Sequence, residues 1–163
     1  MILPIRLWPD PVLRLRCAPV RMFDAALAAL AQDMLDTMYA APGRGLAAPQ
    51  VGQTCRMFVM DVAWKTGAPD PFVCINPVIV QAGDVVVTAE EGCLSIPDTP
   101  MQITRPAAIT LVWQDVTGQD HRADLDGFAA ACAQHELDHL DGIVIFDRVA
   151  PELRASLEAG FLT

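Results

Sequence analysis

Basic charge is scarce in this 163-residue chain: 11 Lys and Arg stand against 20 Asp and Glu, a formal net charge of -9. A surface of that sign repels polyphosphate, whereas a nucleic-acid binder needs a basic patch, so direct nucleic-acid binding is not expected. Long apolar runs are missing too, and none approaches the length of a membrane span. The opening "MILPIRLWPDP" meets Arg6, Pro9 and Pro11 before any apolar h-region forms, so no secretion signal is expected. The five cysteines, Cys17, Cys55, Cys74, Cys93 and Cys132, are odd in number and lack CxxC spacing. That argues against a disulfide framework and a zinc ribbon, and for a reducing, cytoplasmic compartment. Internal repeats are absent. What is present, 53% hydrophobic and 19% charged residues, suits a globular chain long enough for one core, a single domain over residues 1–163.

In "FDAALAALAQDMLDTMYAAPGRG", Asp24 is an N-cap candidate, and Leu27, Leu30, Met34 and Met38 recur at helical spacing before Pro42 and Gly43 stop the helix. The run "GRGLAAPQVG" that follows reads as a loop or a strand held close to something. From Met57 the texture changes to short runs rich in Val, Ile and Phe, "MFVMDV", "FVCINPVIV", "DVVVTA" and "AAITLVWQDV", read as antiparallel strands of a meander. A turn at residues 117–120 and a short strand lead into a second helix, "GFAAACAQHELDHLDG", with Gly142 as its stop. Its Phe128, Ala131, Cys132, His135 and His139 share one inward face. A short strand at "IVIFD" and a brief terminal helix, "APELRASLEA", are expected to finish the chain.

The second helix carries the chemistry. His135, Glu136 and His139 form His-Glu-x-x-His, which sets two imidazoles one turn apart with a carboxylate beside them. Two of the chain's three histidines thus occupy an apolar face, where unpaired imidazoles are costly to bury and a metal turns the cost into a bond. The third ligand has several candidates. A metzincin would need His where Ile145 stands, so that arrangement fails. Glu158, 19 residues beyond His139, would suit a thermolysin-like site. His121, beside Asp120 and Arg122 in an expected turn, reads as solvated. Cys93, in "EEGCLSIP", follows Gly92 and reads as a thiolate ligand or as a buried structural cysteine.

Three segments, "GRGLAAPQ" at 43–50, "EGCLS" at 91–95 and "QHELDH" at 134–139, resemble those of the peptide deformylase family in that family's order, and the opening "ILPIRLWPDPVLR" is similar to its usual start. The resemblance implies an α+β fold in which antiparallel β-sheets pack around a central HExxH-bearing helix, with an N-terminal helix and a short C-terminal one. It implies that Cys93, His135 and His139 hold one divalent metal with water in the fourth position. The usual ion of the family in cells is Fe2+, with Zn2+, Ni2+ or Co2+ as substitutes. It further implies that Glu136 is the general acid/base, that the Gln50 amide and the Leu94 N–H hold the developing oxyanion, and that Gly45 binds substrate through its backbone. The activity implied is removal of the formyl group from N-formylmethionyl nascent peptides, releasing formate. That chemistry needs an activated water, a Lewis acid, oxyanion donors and a proton carrier, and each has a named residue. Glu91, Arg105 and Asp138 are candidates to orient the ligating imidazoles from behind.

Departures from the family pattern bear on specificity. Arg44 stands where a small or branched apolar residue usually walls the methionine pocket, and Phe128, Ala131 and Cys132 share that wall, with Ala131 smaller than expected. Pro100 stands where an Arg often grips the peptide backbone, and the C-terminus lacks the long basic helix with which some bacterial members dock on the ribosome, so ribosome association is an open expectation. A monomer is expected. Beside the deformylase reading stand a divergent paralogue with altered N-terminal preference, a thermolysin-like peptidase using Glu158, and a metal-storing or partner-binding domain without turnover.

Overall fold

The computed structural model describes residues 1–163. Helix α1 spans Ala25–Ala40; Asp24 caps it by accepting the Leu27 N–H at 3.0 Å. Leu27, Ala31, Met34, Leu35 and Met38 form its buried stripe, and the chain leaves it at Pro42. Seven strands follow: β1 Gly45–Ala47, β2 Met57–Met60, β3 Phe72–Ala82, β4 Val86–Cys93, β5 Ile96–Pro106, β6 Ala108–Gln114 and β7 Asp120–Asp126. Helix α2 is Gly127–Leu140 and α3 is Pro151–Leu162. Together these elements form an α+β fold. No helix is long and apolar enough to cross a membrane.

The strands do not form one meander. Five make an antiparallel sheet in the order β1-β2-β3-β6-β7, while β4 and β5 pair apart as a two-stranded hairpin. Strand β2 is buried at all four positions, which explains its unbroken apolar run. Strand β5 carries Pro97, Pro100 and Pro106, residues that lack an N–H to donate. It is tolerated because β5 pairs with β4 alone and its other edge needs no ladder donor. Two further expectations are corrected. The segment "IVIFD" is a 3-10 turn, Ile145–Arg148, which buries Ile145 and Phe146 against the hairpin rather than extending as a strand. His121 lies within β7 and not in a turn, stacked on Trp113 and 2.7 Å from Asp115.

Helix α2 is rich in small residues, and this sets the depth of the site. Ala130, Cys132 and Ala133 pack with Ala47, Phe58 and Met60 of the large sheet in one apolar cluster. A second cluster joins α1 to β1 and β2. A third joins the hairpin, through Cys93, Ile96, Met101 and Ile103, to Leu13 and the 144–146 segment. Helix α2 ends where Gly142 takes a φ of +74°, and a Cβ there would stand 2.5 Å from the Arg14 carbonyl oxygen.

Helix α3 has no fully buried residue; it is held by Leu157 and Phe161, which pack on the third cluster, and by one ion pair, Arg154 to Asp147. Asp147 accepts from both Arg14 nitrogens at 2.5 and 3.1 Å, from Arg154 at 2.6 Å and from the Val144 N–H at 2.9 Å. Burial pushes this carboxyl up, but the Arg14 and Val144 hydrogen bonds and the two guanidinium charges outweigh it and hold it below its ordinary value. A depressed folded-state pKa gives stability that is complete above the unfolded value of about 3.9 and is lost as pH falls through the folded one.

Two stability outcomes follow from these contacts. Gly142→Ala is expected to cost about 2 kcal/mol through the left-handed backbone and the Arg14 clash, a fall in Tm of about 4–8 °C by scanning calorimetry; an unchanged Tm would contradict the steric account. Asp147→Asn should lower Tm near pH 7, with the gap to the parent closing as pH falls below about 4. A gap that persists undiminished to strong acid would show that the charge of Asp147 is not the source of the loss.

Candidate metal centre

Helical spacing brings His135 and His139 to one face of α2, their rings 5.1 Å apart and tilted by 69°. The third donor arrives from the other part of the fold. Strand β4 pairs regularly with β5 down to Glu91 opposite Met101, then the register slips and Cys93 pairs with Ile96. The slip turns the hairpin tip toward α2. There Cys93 Sγ lies 3.4 Å from His139 Nε2, and all three donor atoms lie within 4.8 Å of one another among buried residues.

The donor set fits a metal ion on its own geometry. A tetrahedral ion with bonds of about 2.0–2.3 Å holds its ligand atoms about 3.3–3.8 Å apart, and the Cys93–His139 separation falls in that range. Burial holds His139 well below its ordinary pKa, so this imidazole is neutral, the form that ligates. Glu158 is not part of the cluster; it sits on α3, 3.8 Å from Arg154. His121 is likewise remote, on β7.

A buried ion network fixes His135 from behind. Its Nδ1 donates to Glu91 at 3.1 Å, and Glu91 accepts two hydrogen bonds from Arg105 at 2.7 and 3.0 Å. Arg105 also donates to Asp138 at 3.0 Å, and Arg148 grips the same carboxylate at 3.0 and 2.6 Å. Burial pushes Glu91 up, but the bonds from His135 and Arg105 pull it to about 2, so it stays an acceptor. The chain is therefore β4 to β5 to α2, and it leaves His135 Nε2 free to serve as a ligand atom.

Glu136 points into the same space. Its Oε1 is buried without a protein partner, and burial pushes its carboxyl up to about 7. The Gly45 backbone runs so close that a Cβ there would strike the Glu136 carboxylate and come within 2.8 Å of Cys132 Sγ; glycine at 45 is what lets β1 approach. Gln50 is 1% exposed and is oriented at both ends of its amide: Oε1 accepts from the Ala47 N–H at 2.9 Å, and Nε2 donates to Ser95 at 3.0 Å and toward Cys93 Sγ at 3.7 Å. Leu94 forms the hairpin tip beside Cys93, close against Gly43.

A cavity of about 1050 Å³ opens over these groups, lined by Gly43, Arg44, Gly45, Gln50, Leu94, Pro100, Phe128, Ala131, Cys132, His135 and Glu136 among others. Phe128 does not face inward with its helix neighbours, being 54% exposed at the rim, with the Arg44 guanidinium 4.9 Å from its ring centre. The structure thus brings together Cys93, His135, His139, Glu136, Gln50, Gly45 and the Glu91–Arg105–Asp138 network. Two members escaped sequence reasoning. Ser95 could have been found from its two-residue offset from Cys93, whereas Arg148 has no local signal, because its role is visible only once the 145–148 turn folds beside Asp138.

Comparison with known proteins agrees with this geometry. The polypeptide deformylase family model matches residues 2–155. The peptide deformylase of Brucella suis is 48% identical over 148 residues, covering 90% of this chain and 84% of that protein. That of Chlorobaculum tepidum is 43% identical over 160 residues, covering 97% and 85%. Among solved structures, the peptide deformylase from Thermotoga maritima matches with a TM-score of 0.87 at 43% identity, covering 93% of this chain and 99% of that one. One from Legionella pneumophila gives 0.92 at 36% identity, covering 99% and 94%.

Cys93→Ser is expected to strip the bound metal while Glu158→Ala retains it, read as metal per chain after anaerobic gel filtration. Metal loss with the Glu158 change and not the Cys93 change would reverse the ligand assignment.

Proposed function

This chain belongs to the peptide deformylase family, metal-dependent hydrolases that remove the N-formyl group from nascent peptides, and we propose how its own residues divide that work over one catalytic domain, 1–163. Cys93, His135 and His139 hold the ion, which when bound supplies a Lewis acid and an activated water. Ferrous iron is the ion proposed in cells, although a Cys/His/His set also accepts zinc, nickel or cobalt.

Glu136 carries the proton. A carboxyl pushed up to about 7 by burial sits near the operating pH, where it accepts a proton and returns it with equal ease. The proton goes to the leaving amine, whose nitrogen must be protonated as the formyl C–N bond breaks. Gln50 Nε2 and the Leu94 N–H are the neutral donors proposed for the oxyanion. Gln50 suits that role because Ala47 and Ser95 already fix its amide, so no reorganisation is needed at the moment of reaction. Gly45 offers backbone to the substrate, and Arg44, Phe128, Ala131 and Cys132 surround the side chain of its first residue. Glu91, Arg105 and Asp138 keep His135 in register.

Helix α3 carries one basic residue, Arg154, against Glu152 and Glu158. This helix by itself offers little positive charge to hold a phosphate backbone; the protein is read as a cytoplasmic monomer that meets the formylated nascent chain, with ribosome association left open. The observation that carries the proposal is the unpartnered Glu136 carboxylate beside three clustered donors.

Glu136→Ala is expected to keep its metal and to lose formate release from a formyl-Met tripeptide by about 100- to 10,000-fold. Undiminished release would return the protein to the reading of a metal-holding domain without this acid/base.

A further inference from the structure

Arg105 lines the catalytic cavity but is spent on Glu91 and Asp138. Two other cations line it, Arg44 and Lys65, and each rests on an aromatic face instead of a carboxylate. The Arg44 guanidinium is 4.9 Å from the centre of Phe128, and Lys65 Nζ is 5.6 Å from the centre of Trp64. The two are neighbours through the backbone, since Trp64 Nε1 donates to the Gly43 carbonyl at 2.9 Å. In a chain with a net charge of -9, two cations without carboxylate partners at the mouth of a substrate cavity call for an occupant.

Position along α2 says which part of the substrate reaches them. From His135 back to Phe128 is seven residues of helix, about 10 Å at 1.5 Å per residue, with only Ala131 and Cys132 on that face between. A formyl-glutamyl group extends about 7 Å from formyl carbon to carboxylate oxygen, and a charge-assisted hydrogen bond of about 2.8 Å completes the distance to a guanidinium over Phe128. Methionine is of similar length but brings no charge, and leaves the guanidinium with the ring alone. Resting on the deformylase reading, we propose that Arg44, with Lys65 behind it, is a specificity-determining cation that extends the accepted substrates to formylated N-terminal residues bearing a side-chain carboxylate.

The carboxylates that share the cavity, Glu90, Glu91, Asp98, Asp126 and Glu136, form no ion pair with either cation. Glu91 is held by Arg105, and Glu90 and Asp98 come from the β4–β5 hairpin, while Arg44 precedes β1 and Lys65 follows β2. At the rim beside Phe128 the two cations therefore set the charge a substrate side chain meets, and like-charge repulsion there disfavours a formylated lysine or arginine.

The test compares kcat/KM for formyl-Glu and formyl-Gln tripeptides of otherwise identical sequence, so that shape is constant and charge alone changes. The parent enzyme is expected to favour formyl-Glu. Arg44→Leu should cut the Glu-to-Gln ratio about 10- to 100-fold, Arg44→Lys should retain most of it, and Lys65→Gln should lower it by a smaller factor. Raising salt should shrink the parent's ratio. Calorimetric binding of N-acetyl-Glu and N-acetyl-Gln tripeptides reads the same preference without turnover. An equal effect of Arg44→Leu on both peptides, or no preference in the parent by either measure, would overturn the proposal. Absence of formate release from every formyl peptide, with acetyl-Glu still bound more tightly through Arg44, would instead count against the deformylase reading and leave the cation's role standing.

Discussion

Everything at the centre of this protein depends on one buried cation, Arg105. A two-stranded hairpin is marginal by itself, and β4–β5 shares no ladder with the larger sheet. Arg105 ties it to the helix by holding Glu91 from its own hairpin and Asp138 from α2 at once. Such a buried cluster is costly to desolvate, and removing one partner would strand the rest. Its value here is positional, because Glu91 in turn sets the tautomer and plane of His135.

Contrasting environments for two carboxylates follow from that arrangement. Glu91, on β4, is surrounded by donors and held near 2, whereas Glu136, on α2 and without a hydrogen bond at Oε1, is pushed up to about 7. One is a fixed acceptor and the other is suited to the proton-carrying role proposed for it, and the difference is made by partners rather than by residue type. The bare backbone of Gly45 completes this division by letting β1 close over Glu136 without touching it with a side chain.

The sequence reveals most where function depends on local period. His135, Glu136 and His139 are set by helical spacing, and the helix of Ala25–Ala40 is visible from its cap and stripe. It reveals less where an element depends on distant partners. Strand β5 is obscured by three prolines that only an edge position tolerates. The 145–148 turn looks like a strand because its apolar residues are adjacent, but they are buried by the hairpin and not by a neighbouring strand. Cys93 reads as either ligand or filler in the sequence because its direction is decided by the register slip between Glu91 and Cys93, a feature with no one-dimensional signature. Arg148 entered through the same kind of distant contact.

The split of the strands into two sheets has a further consequence for how the chain comes to be active. Cys93 belongs to the hairpin, His135 and His139 to the helix that closes the larger sheet, and Gln50 to the turn after β1. These groups are separated by dozens of residues of chain, and the shortest contiguous fragment that contains them all, Gln50 to His139, already spans the hairpin, most of the larger sheet and α2. A copy whose hairpin has not yet docked on α2 therefore lacks the complete donor set, and assembly of the cluster waits on that docking rather than growing with chain length.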